Sequence, residues 1–284
     1  MLDIISEGNN VWITCSIKKD YGYTTAVFRA KLENNKLVDS QLIFEALPYI
    51  TNGRHFGSRM TIKDEYLYVS IGERGKGMIA QDPSNAIGSI IRINKDGSIP
   101  KDNPYVQNPK WLPSVYQIGV RNPQGMDLDP LTNKVFISNH GPKGGDFIGE
   151  VVKGTNYGWK RVAWGGKNYS GTKIGEGKAW EPGLLKPNHI WVPSIGVGGI
   201  KFYKGNLFPE WENALLIGSL KFQYLSMEEF YESDSVTIDK INLIQISQDL
   251  NIPKETIRRK VNELQNSNIL NREGKSIIFN RKGI

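Results

Sequence analysis

The chain has 284 residues, of which 39% are hydrophobic and 10% aromatic, enough for one large or two ordinary packed domains. Thirty-six Lys and Arg against 29 Asp and Glu give a formal charge of +7, an excess too mild to define a nucleic-acid-binding protein by itself. No apolar run approaches a membrane-spanning length, and the single cysteine, Cys15, has no internal disulfide partner; in VWITCSI it reads as core filler.

From the N-terminus, MLDIISEGNNVW has neither a basic start nor an apolar stretch, so the chain as written carries no secretion signal and reads as cytoplasmic. Short β-rich runs follow, VWITCSI, TTAVFRAKL, YLYVSIG, GSIIRIN, KVFISN and ALLIGSL, separated by turns such as KDG, NPQG and KGTN. The pattern predicts an all-β domain up to about Leu225. Long connections such as residues 156–193 favour a propeller over a sandwich, although no clean repeat is visible.

Within this domain, GRHFGSRM puts His55 between glycine-flanked positions just before the strand YLYVSIG, and Glu73 in IGERG stands at that strand's end. An imidazole ionises near neutral pH and can take a proton from a hydroxyl, and a carboxylate can orient it. GVRNPQG contributes Arg121, a permanent planar cation suited to anionic oxygens, and Asn122, an amide donor; taken alone, RNPQG also reads as a turn with a surface arginine. The Gly141-Pro142 turn of NHGPKGGD can aim backbone carbonyls outward, and Ca²⁺ accepts such oxygens.

The order HFGSR, IGERG, AQDPSNAIGSIIRINKDGSIPKDNP, GVRNPQG, NHGPKGGD, NYGW, WGGKNYSGTKI and GSLK resembles the glucose/sorbosone dehydrogenase family of soluble, PQQ-dependent aldose sugar dehydrogenases. The resemblance implies a mainly β fold, a six-bladed propeller of which this chain holds part, with first and last blades incomplete. It implies oxidation of an aldose at its C1 hydroxyl by hydride transfer to Ca²⁺-bound PQQ, the electrons passing to an external acceptor. His55 resembles the general base and Glu73 its support. Arg121, Asn122 and Gln124 resemble cofactor contacts, Lys221 in GSLK a lysine that pairs with the cofactor, and Gly141 and Pro142 the carbonyl ligands of Ca²⁺. GGDFIGE places Phe147 where many members have a glutamate for a second Ca²⁺ site, so that second site is not expected. The family is periplasmic. Met1 matches an internal point of the first blade and the resemblance ends near Leu225, which leads to the expectation of impaired activity.

Residues 226–235, around the acidic MEEFYESD, read as a linker. Beyond them, ISQDLNIPKETIRRKVNELQNSNILNREGKSIIFNRKG reads as helix, turn at Asn251 and Pro253, helix over residues 254–265, then a hairpin over 272–281, in a segment 236–284 with nine basic and five acidic residues. This small α+β segment resembles a bacterial winged helix-turn-helix domain. Lys254, Thr256, Arg258 and Arg259 would then meet DNA in a major groove. Two alternatives to the enzyme follow: a DNA-binding regulator, and an inactive join of two gene fragments.

Overall fold

A computed structural model describes residues 1–19, 21–206, 208–219, 235–238, 254–266, 270–273 and 276–280. The chain forms two compact units, Met1–Ser219 and Leu220–Ile284.

The first unit is built from antiparallel sheets in which successive strands pair. β1 (Asp3–Glu7), β2 (Asn10–Lys19), β3 (Gly22–Glu33) and β4 (Lys36–Glu45) make the first sheet. The second contains β5 (Gly57–Lys63), β6 (Tyr66–Ile71), β7 (Ser89–Asn94) and β8 (Val115–Ile118). The third contains β9 (Pro123–Leu128), β10 (Val135–Asn139), β11 (Asp146–Glu150) and β12 (His189–Trp191), and β13 (Val197–Phe202) pairs with β14 (Leu215–Ser219) in the fourth. The first sheet is therefore four-stranded, not the incomplete one expected. Its outer strand KLVDSQLIFE mixes polar and apolar residues and lies largely exposed, which hid it from the apolar pattern.

Each sheet's first strand packs on the first strand of the next, β1 on β5, β5 on β9 and β9 on β13. This inner row of strands is the arrangement of propeller blades around an axis. It lines a cavity of ≈ 340 Å³ bounded by Asp3, Met60, Met126, Asp127, Ile200 and Lys201. Carboxylates bridge neighbouring inner strands: Asp3 Oδ2 accepts from the Met60 amide at 2.8 Å and Asp127 Oδ2 from the Phe202 amide at 2.7 Å.

The core lies between the sheets, and the period of two explains why β6 is buried on both faces. Leu67, Val69 and Ile71 point to the first sheet, where they meet Trp12 and Val27. Tyr68 points the other way, with Ile90, towards Met126 and Ile137 of the third sheet. Strand β11 repeats this: Phe147 joins one interface, its ring 4.7 Å from that of Tyr157, and Ile148 the next. Cys15, expected in the core, is half-buried on β2.

The second unit's described residues are β15 (Ser235–Ile238), α1 (Lys254–Asn266), β16 (Leu270–Glu273) and β17 (Ser276–Asn280), with sheet order β15-β17-β16. A helix and a hairpin occur where the sequence reads them. The earlier helix and the turn at Asn251 and Pro253 lie outside the described residues, as does most of the expected linker. No helix among the described residues is long and apolar enough to cross a membrane.

Candidate active site

The site-forming loops gather at one end of the second and third sheets because antiparallel strands return there. His55 precedes β5 and Glu73 follows β6; Arg121 and Asn122 precede β9 and His140, Gly141 and Pro142 follow β10. Of NPQG, expected as a turn, Pro123, Gln124 and Gly125 are the beginning of strand β9. Pro123 occupies the strand's first position, where its missing N–H is tolerated. Gly125 is required within it, since a Cβ there would come 2.5 Å from the Ile200 amide nitrogen of β13.

His55 and Glu73 are joined by a short hydrogen bond between Nδ1 and Oε1. The imidazole keeps 20% of its surface exposed and the carboxylate 3%. Glu73 accepts further from the Gly75 amide at 3.1 Å and from the Gly77 amide. Its burial acts to raise its pKa, but the His55 hydrogen bond, the Gly77 amide and the charges of His55 and Arg121 outweigh that, so the carboxyl lies below its usual value. Because a carboxylate only accepts, Nδ1 carries the proton and Nε2 is left as the acceptor of a neutral imidazole.

The loop's backbone is unusual. His55, Ser58 and Arg74 have φ of 51°, 76° and 56°, conformations that persist in non-glycine residues only where the surroundings impose them. Arg74 supplies much of that imposition. Fully buried, it donates from Nε to Arg54 O at 2.8 Å, from Nη1 to Tyr23 O at 2.9 Å and from Nη2 to Asn52 O, and its guanidinium lies 3.5 Å from the centre of the Phe56 ring. Burial brings its pKa down to about 10. The sequence reading passed over Arg74, although an arginine directly after the supporting glutamate is a visible signal.

Two links tie this loop to the third sheet: Glu73 N–H donates to Arg121 O at 2.8 Å and Gly57 N–H to Asn122 Oδ1 at 3.2 Å. Asn122 thus spends its amide oxygen on the backbone of the His55 loop. Arg121 Nη1 donates to His140 O at 3.3 Å and Gly141 O at 3.1 Å, and its guanidinium lies 5.4 Å from the Trp159 ring centre. Burial lowers the Arg121 pKa, opposed by Glu73, Tyr169 and Asp146. Gln124 donates to Pro123 O at 3.2 Å and makes no described contact with the other candidates. Lys221 lies outside the described residues.

Asp146 and Asn139, also passed over in the sequence, hold the remaining backbone. Asp146 is fully buried and accepts from the amides of Gly141 at 2.7 Å, Ile195 at 3.1 Å and Val197 at 2.9 Å. Asn139 Oδ1 accepts from the amides of Arg121 and Asn122 at 3.1 and 2.9 Å. A Cβ on Gly141 would lie 2.4 Å from the Gly145 carbonyl carbon, so the turn tolerates no side chain. His140 Nε2 and Trp159 Nε1 are buried without a hydrogen-bond partner among the described residues. Burial lowers the His140 pKa, with Asp146 opposing and Arg121 and His55 adding to the effect.

These features suit the groups that the resemblance implies. A cationic guanidinium and the partnerless indole N–H of Trp159 suit an anionic quinone, and a side-chain-free turn offers carbonyl oxygens of the kind a hard cation takes. Among the described residues no cluster of three His, Cys, Asp or Glu side chains could hold a metal ion.

The chain is similar to known proteins over most of its length. It is 36% identical over 231 residues to Aldose sugar dehydrogenase YliI of Escherichia coli (strain K12), covering 78% of this chain and 62% of that protein. It is 36% identical over 203 residues to Quinoprotein glucose dehydrogenase B of Acinetobacter calcoaceticus, covering 63% of this chain and 40% of that one. The crystal structure of the soluble aldose sugar dehydrogenase from Escherichia coli in the apo form superposes with a TM-score of 0.72 at 36% identity, covering 76% of this chain and 63% of that chain. The chain thus spans less than two thirds of these relatives' length. The family pattern of Glucose / Sorbosone dehydrogenase matches residues 3–251, past Leu225 where the recognisable motifs run out, and the chain belongs to that family.

Proposed function

We propose that this chain carries the base-bearing side of an aldose sugar dehydrogenase site in a six-bladed propeller, oxidising the sugar's C1 hydroxyl with PQQ and Ca²⁺ as cofactors. The observation that carries this reading is the His55–Glu73 pair, anchored by backbone bonds to the loop of Arg121. His55 Nε2 takes the C1 hydroxyl proton, and the ionised Glu73 stabilises the imidazolium that forms. Arg121 and Asn122, with Gln124 and Lys221, would hold the quinone, and the carbonyls of Gly141 and Pro142 would hold Ca²⁺. When bound, PQQ supplies the hydride acceptor, and an external acceptor takes the electrons onward.

The test is dye-linked oxidation of an aldose by the purified chain with and without PQQ and Ca²⁺. His55→Ala is expected to lower kcat by roughly 10²- to 10⁴-fold, the usual worth of a positioned base. Oxidation that needs no PQQ, or that survives His55→Ala, overturns the proposal. By family resemblance the working compartment is the periplasm.

A second reading attaches to the second unit. Arg258 and Arg259 are exposed on α1, which precedes the β16–β17 hairpin, and this favours their contact with DNA phosphates, which by the winged-helix resemblance Lys254 and Thr256 would share. Glu255 pairs with Arg258 at 2.7 Å and Glu263 with Arg259 at 3.8 Å, so phosphate must displace both carboxylates. Salt-sensitive DNA binding that weakens in the Arg258→Ala, Arg259→Ala double variant is the expected result; its absence removes this reading.

A further inference from the structure

The connection between β11 and β12 contains a small hairpin that the proposed chemistry leaves without a task. Asn168 N–H donates to Thr172 O at 2.8 Å and Gly171 N–H to Asn168 O at 3.0 Å, with Lys167 and Lys173 paired below them. Gly171 takes a φ of 82°, so Tyr169, Ser170 and Gly171 form a three-residue tip whose final position needs the left-handed region. Side chains brace it: Asn168 Nδ2 donates to Thr172 Oγ1 at 3.0 Å, and the Ser170 and Thr172 hydroxyls are 2.9 Å apart.

The base of the hairpin is fixed to the candidate site. Ile174 is fully buried in a cluster with Ala80, Ala163 and Trp159, the same tryptophan whose ring faces Arg121. Ile174 N–H donates to Gly166 O at 2.9 Å. Gly165 lies so close to the turn after Pro142 that a Cβ on it would come 2.6 Å from Gly144 Cα and O. The hairpin is therefore seated on both the Trp159–Arg121 stack and the Gly141–Gly145 turn.

At its tip, Tyr169 is 70% exposed. A single exposed aromatic is ordinary on a protein surface. Here, though, the ring is held on a braced turn, and its phenol is within electrostatic reach of the Arg121 guanidinium. A tyrosine ring offers a large contact face with few rotatable bonds, and the C–H face of a pyranose is a complementary apolar surface.

We propose that Tyr169 is a sugar-binding residue, its ring stacking on the pyranose of the aldose while His55 and Arg121 act on the substrate's and cofactor's polar atoms. This rests on the aldose dehydrogenase reading above. Stacking contributes to the bound ground state and the transition state alike, so its loss appears mainly in KM.

The experiment compares the full chain with its Tyr169→Ala and Tyr169→Phe variants, with PQQ and Ca²⁺ present and D-glucose as substrate. Steady-state oxidation is measured together with saturation-transfer NMR from the aromatic protons to the sugar. Tyr169→Ala is expected to raise KM roughly three- to tenfold with kcat changed less than about twofold, and to weaken transfer to the sugar ring protons. Tyr169→Phe, which keeps the ring, stays within about twofold of the parent in KM. An unchanged KM in Tyr169→Ala, or a Phe variant as impaired as the Ala variant, overturns the inference while leaving the dehydrogenase reading intact. A parent chain that neither oxidises D-glucose nor shows transfer to it overturns both.

Discussion

Glu73 sets the chemistry of the proposed base through its own ionisation. Its folded-state pKa lies below the 4.5 of a free glutamate, so its ionised contacts favour folding above pH 4.5 and that contribution is lost as pH falls through the lowered value. Thermal stability should drop on acidification below about pH 4.5, and less steeply in Glu73→Gln, which has no carboxylate to protonate. Melting curves from pH 3 to 7 check this, and parallel acid limbs for the two proteins would contradict it. At neutral pH the same variant should lower kcat by about 10- to 100-fold, since an amide orients His55 without stabilising its cationic form. Asp146 acts on structure more than on protons: replacing it with Ala leaves the amides of Gly141, Ile195 and Val197 unmatched, at a cost of about 3 kcal/mol or more, read as a lower denaturation midpoint.

At the scale of elements, what could be read from the sequence depended on how deeply a strand is buried. The runs in β2, β3, β6, β7, β10 and β14 were legible because packing on one or both faces demands apolar side chains. Strand β4 was not, being exposed along most of its length, and β9 was disguised by its initial proline and internal glycine. His55, Glu73, Arg121 and Asn122 were found through short glycine-rich motifs and are brought together at one end of two sheets. Asn139 and Asp146 were missed because their work is to bond backbone groups distant in sequence, for which no local spacing exists. Glycines at the loop crossings make a further expectation: a Cβ on Gly72 would sit 2.0 Å from His55 O, so Gly72→Ala must displace the base-bearing loop. It should lose activity at least as completely as Glu73→Gln, with destabilisation of about 2 kcal/mol or more in denaturant titration.

For the whole molecule, two compact units imply two transitions on unfolding. Calorimetry of the full chain should resolve them, and Leu67→Ala, which opens a cavity between the first two sheets, should lower only the larger by about 2–5 kcal/mol in stability. A single transition shifted as one by that substitution would contradict independent units. The first unit gains its coherence from inner strands stitched by Asp3 and Asp127, so each sheet depends on its neighbour for burial as well as for hydrogen bonds.

The guanidinium of Arg74 bears on how such proteins can be remade. Repeated four-stranded sheets invite treatment as interchangeable cassettes, to be shuffled or grafted between relatives. Yet this side chain, from the sheet that bears the proposed base, reads the carbonyl of Tyr23 in the sheet before it. A chimera that swaps the first sheet inherits a new ruler for the position of His55. A recombination boundary between β4 and β5 should therefore be avoided, since it parts the base-bearing loop from the carbonyl against which Arg74 gauges it.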